Sequence, residues 1–115
     1  MGKSVVHFEV LGQDAAKLQK FYGEAFGWKI EPGKPPTYGR VEAGNGVTGG
    51  IGKNDVPNTP NVTFYIGVQD LDGSLRKIEQ GGGRTVLPPT DVHGEAKIAL
   101  FADPEGNVIG LVQSD

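Results

Sequence analysis

The stretch from Val6 to Ile30 can be laid over Val62 to Val86 without a gap, every position displaced by 56 residues. Val6 and Val62, Phe8 and Phe64, Gln13 and Gln69, Asp14 and Asp70, and Gly27 and Gly83 are identical across that offset. Val10 with Ile66, Lys20 with Arg76, and Ile30 with Val86 add conservative pairs, and Gly46 to Ile51 falls on Gly106 to Leu111 once the second copy is allowed a longer loop. A chain of 115 residues holding two such copies amounts to one domain, and neither half is large enough to bury a core alone.

Within each copy the apolar period changes from two to about 3.6. Val6, Phe8 and Val10 alternate with Val5, His7 and Glu9, and Phe64, Ile66 and Val68 alternate with Thr63, Tyr65 and Gly67. Each set predicts a strand with one apolar face. Asp14 then reads as a helix N-cap ahead of the stripe Leu18, Phe21, Tyr22, Ala25, Phe26, which stops at Gly27. Asp70 opens a shorter helix carrying Leu71, Leu75 and Ile78, ended by Gly81, Gly82 and Gly83. Strands follow at Trp28 to Glu31, Tyr38 to Glu42 and Val47 to Gly52, mirrored by Arg84 to Leu87, Ala96 to Phe101 and Asn107 to Gln113. Each unit is therefore βαβββ, with module one at 4–52 and module two at 62–113. The linker 53–61 carries two prolines among polar residues. Asp103, Pro104, Glu105, Gly106 and Asn107 spell a tight turn between the last two strands. The expected core is Val6, Phe8, Val10, Leu18, Phe21, Phe64, Ile66, Ile98, Leu100, Ile109 and Leu111.

Composition narrows the function classes. With 11 basic and 14 acidic side chains the net charge is -3, so the electrostatic footprint of a nucleic-acid binder is missing. No apolar run approaches the roughly 20 residues that span a bilayer, and Met1 to Ser4 is too short and polar for a signal peptide. A cytoplasmic protein with no nucleic-acid or membrane partner is the expectation. The absence of cysteine removes thiol catalysis and thiolate metal sites.

The HFEV strand, the helix holding FYGEAFGW, and the DPEGN turn followed by VIGLVQ resemble the glyoxalase/bleomycin-resistance/extradiol-dioxygenase superfamily, the vicinal oxygen chelate fold. The resemblance runs from Val5 to Gln113. It implies an α+β fold in which two tandem βαβββ modules form a cupped, mixed eight-stranded sheet, with the helices on the convex face and the site on the concave one. It also implies that the catalytic members bind a metal at four positions, which fall here on His7, Thr63, Gly50 and Gly110. One of the four carries an imidazole, two carry no side chain, and a catalytic divalent site keeps about three protein ligands. The expectation is therefore no metal and no cofactor, with the glycines widening the floor of a cup for an organic ligand.

His7 and Glu9 lie about 7 Å apart on one strand face, where a base and an acid can meet the same molecule, although such a pair is also a common solvated arrangement. The repeat relates His7 to Thr63 and Glu9 to Tyr65. The expected ligand-binding residues are His7, Glu9, Thr63, Tyr65, His93 on the loop 90–95, and Phe101; no residue is assigned a catalytic role. Trp28 and Tyr38 are further candidates to line the cup, though strand aromatics are ordinarily core. Three readings stay open: a metal-independent small-molecule binder of the bleomycin-resistance kind, a superfamily enzyme with an unusual or metal-free site around His7 and Glu9, and a structural or regulatory subunit. A homodimer is expected, because each half-cup must find another unit, within the chain or by exchange between chains.

Overall fold

The computed structural model describes residues 2–33, 38–92, 94 and 96–114. The elements run β1 (Val5–Gly12), α1 (Ala15–Phe26), β2 (Lys29–Pro32), β3 (Tyr38–Glu42), β4 (Gly49–Lys53), β5 (Val62–Val68), α2 (Leu71–Gln80), β6 (Arg84–Val92), β7 (Ala96–Ala102) and β8 (Val108–Gln113). This is βαβββ twice. Asp14 and Asp70 both sit in extended conformation and accept backbone N–H groups, from Lys17 at 3.1 Å and Gly73 at 3.0 Å, so each helix starts on its own side-chain cap. Gly27 ends α1 in the left-handed region at φ 67°, a conformation that disfavours any residue with a Cβ. In the DPEGN turn the Asp103 carboxylate accepts from the backbone of Glu105 and Asn107 and from the Asn107 side chain, and these bonds hold its pKa below the ordinary value.

The strands form one mixed eight-stranded sheet in the order β2-β3-β4-β1-β5-β8-β7-β6. In each module the first and last strands run parallel, β1 with β4 and β5 with β8, and every other pairing is antiparallel. The modules meet where β1 pairs antiparallel with β5, Phe8 standing opposite Phe64. The pairing that each unit needs is thus made inside a single chain. Both helices pack on one face of the sheet, α1 over β1, β2 and β4 and α2 over β6, β7 and β8.

Under α2 the core is Val68, Leu71, Leu75, Ala99 and Leu111, with Ile66, Ile78 and Phe101 packed against it. Under α1, Phe8 meets Trp28, which stacks on Tyr22, and Gln19 ties the helix to β4 by donating to the Ile51 carbonyl at 2.8 Å. Several expected core residues lie elsewhere. Phe21 is 59% exposed because α1 turns Ala15, Leu18, Gln19 and Tyr22 toward the sheet, leaving Phe21 outside. Val6 sits at a register irregularity between Val5 and His7 and is largely exposed. Ile98 and Leu100 are opposite Val112 and Gly110, and residues opposite one another in register share a face. That face is the one away from the helices, so Ala99 and Phe101 point to α2 instead. Strand β6 also extends past the expected Leu87 to Val92, with register shifts between Thr85 and Thr90 that accommodate Pro88 and Pro89.

Candidate functional site

On the face away from the helices a cavity of about 380 Å³ opens over the junction of the two modules. Its polar end is formed by His7 and Glu9 of β1, Tyr38 and Arg40 of β3, and Tyr65 of β5. Strand alternation sets these side chains on one side: His7, Glu9 and Leu11 from β1, Tyr38 and Arg40 from β3. The opposite wall is apolar, made by Val92, Ala96, Ile98 and Val112.

Glu9 is the hub of the polar end. Tyr38 Oη donates to Glu9 Oε2 at 3.0 Å and Tyr65 Oη donates to Glu9 Oε1 at 3.1 Å. His7 Nε2 lies 2.7 Å from Tyr38 Oη. One carboxylate therefore holds a phenol from each module, and the imidazole closes on one of them. Register explains why both rings fit. Gly50 is opposite Glu9 across the β1/β4 pair, and Gly110 is opposite Tyr65 across the β5/β8 pair. A Cβ at Gly50 would run into Tyr38, and a Cβ at Gly110 would run into the Tyr65 ring. The two glycines were expected to widen the cup. Instead each is the seat of a tyrosine, and the space a side chain would take is filled.

The charges at this end are shifted by their surroundings. Burial raises the Glu9 pKa above its ordinary 4.5; the two tyrosine hydrogen bonds act against that, and the Asp55 charge adds to it. Burial, and secondly the Arg40 charge, lower the His7 pKa below 6.5. Burial, with the adjacent Glu9 charge, pushes both tyrosines far up, so their hydroxyls stay protonated. Because the folded chain holds the Glu9 proton more tightly than the unfolded chain, Glu9 contributes stability below about pH 4.5 that is lost as pH rises through its raised folded pKa. His7 works the other way: its contribution is present above about pH 6.5 and is lost as pH falls through its lowered folded pKa. The two slopes oppose each other. Glu9→Gln is expected to leave only the histidine slope, so its urea midpoint should fall more steeply than the parent's from about pH 7 to about pH 5, while His7→Gln should flatten or invert the profile. Parallel profiles for the three proteins would contradict these assignments.

Of the residues expected to bind ligand, His7, Glu9 and Tyr65 line the cavity together. Thr63 shares their face but is buried, and its hydroxyl donates to the Val108 carbonyl at 2.9 Å, tying β5 to the start of β8. Phe101 stands on the opposite face in the α2 core, and Trp28 lies under α1. His93 lies outside the described residues. The sequence reading missed Arg40, an exposed strand residue with no motif around it, and missed the linker. Asn54 donates from Nδ2 to the Thr59 carbonyl at 3.0 Å and to Asn61 Oδ1 at 2.8 Å, folding 53–61 back so that Lys53, Asp55, Val56 and Thr59 rim the cavity. Its asparagines were visible; where the folded loop would land was not.

The four positions at which the resemblance implies a metal do not suit one. His7 is engaged by Tyr38, the Thr63 hydroxyl by Val108, and Gly50 and Gly110 offer no donor and no space. Among the described residues no three His, Cys, Asp or Glu side chains cluster to hold an ion, and no helix is long and apolar enough to cross a membrane.

The sequence signature of the glyoxalase-like domain matches residues 7–112. The chain is 29% identical over 118 residues to the Mycobacterium tuberculosis protein named "Putative glyoxylase CFP32", covering 96% of this chain and 44% of that one. It thus spans less than half the length of that relative. Two solved structures share the fold: a glyoxalase/bleomycin resistance protein/dioxygenase superfamily member from Vibrio splendidus 12B01 (TM-score 0.68, 18% identity, 98% of this chain and 100% of that one) and methylmalonyl-CoA epimerase from Mycobacterium tuberculosis (TM-score 0.69, 16% identity, 96% and 87%). The twofold βαβββ architecture and the match across nearly its whole length make this chain a member of the glyoxalase-like domain family.

Proposed function

We propose that this chain binds a small organic molecule in the cavity between the modules, without a catalytic metal ion. The observation that carries the reading is the filling of Gly50 and Gly110 by Tyr38 and Tyr65: the positions that would hold a metal hold the wall of a pocket. The cavity joins a few convergent polar groups to an apolar wall, the usual make-up of an organic-ligand site. Native mass spectrometry of freshly purified protein is expected to release a small organic mass on denaturation, with no stoichiometric zinc, nickel, iron or manganese by elemental analysis. One metal per chain, lost with His7→Ala, would overturn the metal-free reading.

A second reading, an enzyme with a metal-free site, draws on Glu9 and His7. A carboxyl shifted up and an imidazole shifted down, linked through Tyr38, form an acid/base pair. Conversion of the co-purified molecule on incubation would favour it; recovery unchanged would favour the binder.

The proposal extends to a cytoplasmic homodimer with no nucleic-acid partner. Pairing of the modules is satisfied within the chain, so the support for a dimer is the apolar surface left exposed on α1, where Phe21 and Phe26 are 59% and 63% exposed. Light scattering at micromolar concentration should return about twice 12.1 kDa, and Phe21→Ser with Phe26→Ser should return the single-chain mass. A parent mass near 12.1 kDa refutes the dimer.

A further inference from the structure

The connection between β3 and β4, residues 43–48, carries a reactive pair that the cavity does not use. Asn45 is followed directly by Gly46, and both are exposed. Neither the Asn45 side-chain amide nor the Gly46 backbone N–H has a hydrogen-bond partner among the described residues. The surroundings are open as well. A Cβ on Gly44 would meet nothing within 4 Å, and one on Gly46 only the Ala43 carbonyl at 3.6 Å. A backbone nitrogen reaches the preceding asparagine side chain only if the chain can curl into a five-membered ring, and glycine, with no Cβ, leaves that path free.

The other four asparagines precede residues that carry side chains: Asp55, Thr59, Val62 and Val108. Asn54 and Asn61 are joined to each other at 2.8 Å, and Asn107 donates to Asp103 Oδ2 at 2.9 Å. The N–H that follows Asn58 is spent on the Val56 carbonyl at 3.3 Å. The repeat makes the same contrast. Gly46 corresponds to Gly106, which follows Glu105 and donates its N–H to the Asp103 carbonyl at 2.9 Å. That turn has no side-chain amide to lose and no free nitrogen to attack it.

We infer that Asn45 is a self-modifying site, which converts to isoaspartate in the folded chain and gives this loop a carboxylate that a carboxyl methyltransferase of the isoaspartate-repair class can take as substrate. The Gly46 nitrogen bonds to Asn45 Cγ, the Cγ–Nδ2 bond breaks, and Nδ2 leaves as ammonia with the proton from Gly46. Solvent water then opens the cyclic imide. Cleavage at Cγ gives aspartate; cleavage at the Asn45 main-chain carbonyl gives isoaspartate, whose backbone runs one carbon longer. Nothing is oxidised or reduced, and a chain of net charge -3 gains one negative charge. The extra carbon falls outside the rung Val41 to Gly49, so the next rung, Arg40 to Gly50, is kept and the fold survives the change.

The test ages the full folded chain at mildly alkaline pH and follows each asparagine by peptide mass spectrometry, with fragmentation that separates aspartate from isoaspartate. Asn45 is expected to convert ahead of the other four, mostly to isoaspartate, and the aged chain should accept methyl groups from S-adenosylmethionine when a purified isoaspartyl methyltransferase is added. Gly46→Ala should slow conversion about tenfold, equivalent to about 1.4 kcal/mol on the barrier. Asn45→Gln should abolish methyl acceptance, and the aged parent should keep the urea midpoint of the fresh protein. Conversion in the folded chain at another asparagine ahead of Asn45 would overturn the inference. So would an Asn45 amide that converts only after unfolding in urea, a parental rate in Gly46→Ala, methyl acceptance that persists in Asn45→Gln, or a lowered midpoint in the aged parent.

Discussion

Gly110→Ala is expected to destabilise the chain by about 3 kcal/mol, a large effect for a single added methyl group. The new Cβ would enter the space occupied by the Tyr65 ring, which is buried and tethered through its hydroxyl to Glu9. Overpacking a well-filled site costs about 1 to 3 kcal/mol, and pulling the phenol from the carboxylate adds about 1.5 kcal/mol or more. Gly50→Ala should behave alike through Tyr38. A double-mutant cycle identifies the cause: in a Tyr65→Ala background Gly110→Ala should cost little, because the ring it displaces is gone. Additive costs would show that Gly110 matters for some other reason.

The second large effect concerns the core. Leu100 is 0% exposed, on the face away from the helices, and Leu100→Ala is expected to cost about 2 to 5 kcal/mol. Phe64 is 38% exposed although it lies on the apolar face of β5, and Phe64→Ala should cost about 1 to 2 kcal/mol, less than a fully buried phenylalanine would. Urea unfolding of the two variants reads the order directly. A larger loss at Phe64 would mean that a second chain covers it in solution.

That ordering shows where local pattern stops being informative. The alternation of β1 and β5 sets His7, Glu9 and Tyr65 together on one face, the one that carries the cavity, and both helix starts follow from Asp14 and Asp70, because those signals act within a few residues. In β7 the run Ile98, Ala99, Leu100, Phe101 is apolar at every position, since it is covered on both sides. Periodicity has nothing to say there, and only the register with β8 separates Leu100 from Phe101. The site was legible to the same extent. His7 and Glu9 were visible as neighbours on a strand, but the partnership with Tyr38 crosses 31 residues to His7 and 29 to Glu9. Gly50 and Gly110 were legible as absences of a ligand; that each absence accommodates a ring depends on which strands are adjacent, and a sequence does not display this.

The seam between β1 and β5 bears on how such a chain can have arisen. It relates the two modules by a local twofold axis near Phe8 and Phe64, so Glu9 and Tyr65 are the same position of the repeated unit, bonded to each other. Two identical units meeting through that strand would bring like against like: two buried carboxylates that cannot both ionise, or two phenols with no anion to hold. Duplication within one gene releases the position from this symmetry. One copy can keep the acid and the other the phenol, and the pocket becomes lopsided, with its polar end drawn toward the first half and its hydrocarbon wall toward the second.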